Sequence, residues 1–283
     1  MTTGFSVLLP VYAGDSAPFL RRAFASATVE QELRPSEVVI VQDGPVPAAL
    51  SRALEELAAS DVCDVRVVRI EHNGGLARAL DVGLGQCRHE IVARADADDI
   101  SLPRRFAVQV PLVAGGLDLV GSALVEFGDD EDVTGETRVL PTTSDAIARY
   151  ARFADPFNHP TVVYRRSAVE RAGGYEPLHL MEDYLLFARM IASGAAVANV
   201  AEPLVKYRTG AGSYSRRGGL TLLRSEVALQ RRLRADGFTT RTQLARNLVV
   251  RGGYRLLPVA VRRWGYRALL LARLRRRAVG SPA

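Results

Sequence analysis

With 283 residues, 48% of them hydrophobic and 24% charged, the chain has the make-up of a globular protein with a sizeable core, which argues against a mainly disordered chain. No apolar run approaches the roughly 18 residues that a membrane span needs, and the N-terminus MTTGFSVLLP lacks the basic start and long apolar run of a signal peptide, so a cytoplasmic location is expected. The net charge of +6 is unevenly spread: residues 216–283 hold 17 Arg against Glu226 and Asp236, or +15, while residues 1–215 hold 20 basic and 29 acidic side chains, or −9.

In chain order, FSVLLPVY (5–12) is a short apolar run that predicts a strand, and SAPFLRRAFASATVEQ after it has helical spacing. SEVVIVQDG (36–44) is a second strand closed by a turn, PAALSRALEELAAS a helix, and VRVVRI a third strand. LARALDVGLGQC is a helix opened by Asn73-Gly74-Gly75, and EIVARAD a fourth strand. Such regular alternation predicts an α/β fold with a mostly parallel, Rossmann-like sheet covered by helices on both faces. Ligands bind such sheets at the carboxyl ends of the strands, where Tyr12, Asp43, Asn73, Asp96 and Asp98 fall. The Gly- and Ser-rich TGAGSYSRRGG (209–219) suggests a boundary, with one domain over 1–215 and an Arg-rich helical extension over 216–283. Cys63 and Cys87 lack a CxxC partner and read as small buried hydrophobes rather than metal ligands or a disulfide.

The stretch EIVARADADDISLP (90–103) ends its strand with Asp96, Asp98 and Asp99 within four positions. Like charges so close repel unless a cation sits among them. A dinucleotide site would need G-x-G-x-x-G after the first strand, but LLPVYAGDSAP stands there, and no GxxxxGK[ST] loop occurs. With no glycine amides or lysine to cradle phosphates, a bound nucleotide's charge falls to a divalent metal. Hard carboxylate ligands suit Mg²⁺ or Mn²⁺.

SVLLPVY, VVIVQDG, HNGGLARALDVGL, ARADADDISLPRRFAVQV, NHPTVVYRRSAVERAGGY and MEDYLLFARM together resemble, in order and spacing, family 2 glycosyltransferases, inverting enzymes of the GT-A fold, over about residues 5–215. The branch that builds bacterial polysaccharides and cell-envelope glycans looks most similar. The resemblance implies transfer of a sugar from a nucleotide-sugar donor, a UDP-sugar being favoured, to a hydroxyl of a glycan or lipid-linked acceptor. It implies that Asp98, with Asp96, binds the metal, that Asp96 also approaches the ribose and diphosphate, and that Asp43 reads the base, although Asp-Gly-Pro is also a good turn. Pro10, Val11 and Tyr12 are expected as the other wall of the nucleotide site, with Asn73 beside them. Asp99 is expected to be a structural support that accepts hydrogen bonds from the loop that follows it.

Asp183 matches the family's general base, in the first turn of a helix over LMEDYLLFARMIASG with Glu182 beside it. Acids there also complement the helix dipole. His159 either lines the acceptor side or is simply held by its neighbours, and Tyr207 and Arg208 correspond to a loop that closes over the donor. Ala13 and Asp81 stand where Asn is common in the family, and the histidine usual in the closing loop is missing. One base and one metal imply a single displacement with inversion.

From Leu257, the residues Leu257, Val261, Trp264, Ala268 and Leu271 fall on one helical stripe, with Arg255, Arg262, Arg263, Arg267 and Arg273 mostly opposite. Such a helix over 255–277 suits an anionic membrane surface, its own domain, or a second copy in a homodimer. Two other readings are a sugar-nucleotide pyrophosphorylase, for which the first loop lacks the glycine-rich basic sequence, and a non-catalytic membrane or nucleic-acid binding module. Nucleic acid is not expected, because aromatics are sparse in the tail and the acidic half repels phosphates.

Overall fold

The computed structural model describes residues 4–209 and 219–256. The chain divides into two compact units, Met1–Gly210 and Ala211–Ala283. The first unit begins with β1 (Phe5–Tyr12), α1 (Ala17–Ala27), β2 (Glu37–Asp43), α2 (Ala48–Ala58), β3 (Asp64–Ile70), α3 (Leu76–Gln86) and β4 (Ile91–Arg94). These are the elements expected from the hydrophobic pattern, with β4 shorter because the chain turns away at the aspartates. β5 (Ile100–Ser101), α4 (Arg105–Ala114), β6 (Leu119–Phe127), β7 (Thr134–Arg138), α5 (Ser144–Ala151), β8 (Val163–Arg165), α6 (Arg166–Arg171), α7 (Glu182–Ala192) and β9 (Val197–Arg208) complete it.

The strands form one sheet in the order β3-β2-β1-β4-β8-β6-β9-β5, with β7 on β6. β3, β2, β1 and β4 run parallel, and the long β6–β9 ladder is parallel too. β8 enters antiparallel to both β4 and β6, and β5 antiparallel to β9. The chain therefore moves outward from β1 through β2 to β3 and returns to β4 on the other side of β1, which makes β1/β4 a topological switch point.

The two-residue repeat of a strand sends alternate side chains to opposite faces. Val7, Leu9 and Val11 join Val38 and Ile40 under α1, α2 and α4, packing with Leu20, Phe24, Leu54, Phe106 and Val110. Leu8, Val39 and Val41 face the other way, with Leu80 and Leu84 of α3, Val169 of α6, and Leu186, Phe187 and Met190 of α7. Each fully buried Leu or Phe of this kind contributes about 1.5–3 kcal/mol. Both faces being covered is why β1 and β2 read as continuous apolar runs rather than alternating ones.

The second unit holds α8 (Leu220–Ala235), α9 (Arg241–Asn247), a π-helical turn at Leu248–Gly252 and α10 (Gly253–Leu256). Thr240 and Gln243 form a capping box at the start of α9. Glu226 of α8 is fully buried and accepts hydrogen bonds from Arg251 Nε (2.7 Å), Arg255 Nη2 (3.1 Å) and Gln230 Nε2 (3.1 Å). Arg255, expected on the outward arc of a basic helix, is instead turned inward because this carboxylate needs cations. The apolar stripe from Leu257 lies outside the described residues. No described helix is long and apolar enough to cross a membrane.

Candidate active site

Tyr12, at the end of β1, pairs with Asp43 at the end of β2, and Leu8 O accepts from Ala95 N at 2.9 Å, so the chain leaving β4 runs on beside β1. The aspartate loop is thus placed at the switch point. Asp96, Asp98 and Asp99 each offer a carboxylate oxygen, all within 4.8 Å of one another. Burial first, then the charges of Asp96 and Asp98, push the Asp99 carboxyl well above its usual range. Asp98 is pushed up as well, by burial and by Asp96. Asp99 Oδ1 accepts from Arg208 N at 2.9 Å, whereas its buried Oδ2 has no hydrogen-bond partner among the described residues. Crowded hard oxygens that repel, with one lone-pair oxygen left over, fit a small divalent cation.

Two groups around this cluster carry no motif in the sequence. Asp15 accepts from Tyr12 N at 2.9 Å, and burial, with Asp98 and Asp96 adding to it, pushes its carboxyl up to about 7. A fourth acid therefore faces the cluster, and the only hint is an Asp three positions after Tyr12. Arg94 is buried and pairs with Asp96, while its Nε and Nη1 have no partner among the described residues. Arg208 closes the cluster from β9. Its Nε donates to Asp98 O at 3.0 Å and its guanidinium lies 3.9 Å from the Phe19 ring centre and 4.4 Å from that of Phe127. It ends a strand and is not part of a loop, because β9 pairs with β6 as far as Phe127–Arg208 and with β5 at Ile100–Lys206. The support for Asp99 comes from this strand and not from the loop following it.

On the β2 side, both oxygens of the buried Asp43 are engaged at 2.8 Å, Oδ1 by Gly74 N and Oδ2 by Gly75 N, and Asn73 Nδ2 donates to Asp43 O at 3.1 Å. Gly44, at φ +83°, comes so close to Asn73 that a Cβ there would stand 2.7 Å from the Asn73 nitrogen. Asp43 thus holds the loop that opens α3, and each oxygen retains lone-pair capacity for a ligand. Tyr12 is 47% exposed, which leaves its ring free to stack. Pro10 and Val11 are buried, Val11 in the core under α1, so they offer the course of the strand and no exposed side chain.

Asp183 lies in the first turn of α7 with its side chain 23% exposed. Its Oδ1 accepts from Tyr184 N at 2.8 Å, and Oδ2 stands 3.5 Å from His159 Nδ1. Burial raises its pKa, and the bond from Tyr184 N, then the charge of Arg94 and a hydrogen bond with the Asp155 side chain, oppose the rise. Glu182 is buried, accepts from Met181 N at 3.0 Å, and is pushed up to about 7 by burial and then by Asp183. Leu180, just before them, takes a left-handed backbone at φ 59° with its side chain exposed, turning the chain into the helix. His159 is buried on the turn before β8, where Arg94 N donates to Val162 O at 3.0 Å and brings β4 alongside. Arg94 pairs with Asp96, and the charge of Asp183 also acts on it, so the acid cluster and the α7 carboxylate share the field of one buried cation.

Residues 6–173 match the family model described as Glycosyl transferase family 2. The chain belongs to glycosyltransferase family 2. It is 36% identical over 93% of its length to the amylovoran biosynthesis glycosyltransferase AmsE of Erwinia amylovora, covering 97% of that protein. It is 31% identical over 95% of its length to the UDP-Gal:α-D-GlcNAc-diphosphoundecaprenol β-1,3-galactosyltransferase of Escherichia coli, covering 97% of it. In fold, this family 2 enzyme resembles S. aureus TarS in complex with UDP-GlcNAc (TM-score 0.63, 16% identity, 82% of this chain and 66% of that one). It also resembles the mannosyltransferase PcManGT of Pyrobaculum calidifontis in complex with GDP-Man and Mn²⁺ (TM-score 0.58, 19% identity, 94% of this chain and 80% of that one). The fold is thereby that of the GT-A glycosyltransferases, and the pyrophosphorylase and non-catalytic readings fall away.

Proposed function

We propose that this enzyme transfers a hexose from a UDP-sugar to a hydroxyl of a lipid-linked or glycan acceptor, with inversion at the anomeric carbon. The observation that carries the reading is the meeting of the Asp96/Asp98/Asp99 cluster with Asp183 around the buried Arg94. A UDP-sugar is favoured because a relative of 31% identity is named for UDP-Gal and GlcNAc-diphosphoundecaprenol.

In this reading, Tyr12 stacks on the base, Asp43 accepts from its imide N–H, and Asn73 and Asp96 flank the ribose and diphosphate. Asp98 with Asp96 holds Mg²⁺ or Mn²⁺, which when bound supplies Lewis-acid stabilisation to the leaving diphosphate. Asp183 takes the proton from the acceptor hydroxyl as that oxygen bonds to C1 and the C1–diphosphate bond breaks on the opposite face. The proton ends on Asp183. Burial raises the affinity of Asp183 for that proton, which suits a base. Arg208 braces the aspartate loop, and Glu182 fixes the start of α7 beside the acceptor.

A thermal-shift panel of UDP-, dTDP- and GDP-sugars with and without Mn²⁺ tests the donor side. UDP-sugars are expected to raise the melting temperature only with the metal. A metal-dependent rise confined to GDP-sugars would overturn the donor assignment.

A further inference from the structure

The segments NHPT, GGY and ED are separate in the chain, yet the fold brings their side chains into one line. His159 sits on a turn that is tied down on both sides. Asn158 Nδ2 donates to Ser122 O at 2.9 Å, and Thr161 Oγ1 accepts from Ser122 N at 2.9 Å. Tyr175 follows Gly173 and Gly174, at φ +88° and +70°, and Arg189 of α7 binds both Gly174 O and Glu176. These two glycines reach the left-handed region that other residues resist, which turns Tyr175 back beneath the imidazole. Its hydroxyl lies 3.1 Å from His159 Nε2 and also meets the buried Tyr164 hydroxyl, which can donate to it and so leave the Tyr175 proton for the imidazole. On the other side, Nδ1 stands 3.5 Å from Asp183 Oδ2. Phe187 packs edge-on against the ring at 5.8 Å between centres.

We infer that His159 and Tyr175 are positioning residues for Asp183: the tyrosine O–H donates to Nε2, which leaves the proton on Nδ1 and aims it at Asp183 Oδ2. The inference rests on the reading of Asp183 as the base. A neutral ring is what the site permits, because the imidazole is buried beside the buried Arg94 and a second cation there is disfavoured. Oδ1 is held by Tyr184 N and the carboxyl also shares a hydrogen bond with the Asp155 side chain, so a donor at Oδ2 completes the set that fixes the carboxylate plane. A contraction of a few tenths of an ångström, of the kind that accompanies substrate binding, makes the contact a full hydrogen bond. The arrangement is a carboxylate–imidazole–phenol relay in which only Asp183 meets the acceptor.

The test has two arms on the full-length protein. Long-range ¹H–¹⁵N correlation spectra near neutral pH, with His159 assigned by its loss in His159→Asn, are expected to show a neutral Nδ1–H tautomer whose Nε2 shift moves in Tyr175→Phe. An Nε2–H tautomer or an imidazolium would overturn the inference. In UDP release from a UDP-hexose panel with Mn²⁺, His159→Leu is expected to lower kcat roughly 100-fold and Tyr175→Phe roughly 10-fold. Donor KM should stay unchanged in both, while the melting temperature falls by a few degrees because each leaves a buried polar partner unsatisfied. His159→Asn, whose amide nitrogen stands near the place of Nδ1, should recover much of the loss. If Asp183→Asn keeps full turnover, the reading of the base itself fails. If Asp183→Asn is inactive while His159→Leu and Tyr175→Phe turn over at the wild-type rate, only the relay falls.

Discussion

Glu182 shows how one residue in this site trades stability for placement. It is 7% exposed and pushed up to about 7 from 4.5, burial being the main cause. A carboxyl whose folded pKa lies above its unfolded one is at ease protonated. Its contribution is fully present below about pH 4.5 and is lost as pH rises through about 7. The ionised carboxylate at neutral pH therefore destabilises the fold by on the order of 3 kcal/mol. Glu182→Gln is expected to raise stability at pH 8 by roughly 1–3 kcal/mol and to leave it unchanged at about pH 4, as read by urea unfolding at the two pH values. An equal gain at both would mean that ionisation is not the cause. Arg94 and Asp15 are the residue-scale features that sequence reasoning did not single out. An arginine two positions before an aspartate pair is an ordinary strand residue until the strand end is known to bond to Val162, beside the His159 turn.

At the scale of elements, α3 owes its position to a glycine. Gly83 lies inside the helix, where it costs about 1 kcal/mol relative to Ala. A Cβ there would stand 2.4 Å from Leu8 Cδ1 and 2.5 Å from Val41 Cγ2. The helix thus lies directly on β1 and β2, with Asn73 and the glycines that bind Asp43 at its start. Gly83→Ala is expected to cost about 1–3 kcal/mol despite the better helix propensity, and to weaken UDP binding because the start of α3 shifts; a stabilising result in thermal unfolding would contradict this close packing. The βαβ units were legible because apolar runs, helical spacing and Asn-Gly-Gly or Asp-Gly turns mark their limits locally. β5 was not legible: it is two residues long and exists through its pairing with Lys206 and Val205, more than a hundred positions away. The antiparallel entry of β8 between β4 and β6 is likewise a long-range choice that no local pattern announces. The aspartate cluster stood out by residue type at a strand end and Asp183 only through the family resemblance, whereas the Tyr175–His159 contact needed the fold.

For the whole molecule, the charge division read from the sequence follows the division into two compact units. The second unit exposes Arg224, Arg231, Arg241 and Arg246 together with Val249, Val250 and Tyr254. A unit that exposes both basic and apolar groups is open to test as a binder of anionic bilayers, where each basic residue near the surface contributes about 1 kcal/mol. Truncation before Leu257 leaves the Glu226–Arg255 pair in place. If the Arg-rich sequence after Leu257 is the anchor, this truncation weakens binding to phosphatidylglycerol vesicles at least tenfold while donor hydrolysis continues, and the basic groups before it account for what binding remains. Undiminished vesicle binding would rule out the tail as the anchor, and a change from dimer to monomer instead would assign it to self-association.

The most direct measurement is UDP release by the wild type and by Asp98→Asn, each with Mn²⁺ and with a chelator. The expected result is turnover that needs the metal in the wild type and falls by at least about 100-fold in Asp98→Asn. Wild-type turnover by Asp98→Asn in the chelator would contradict the assignment of the aspartate cluster as the seat of the leaving diphosphate.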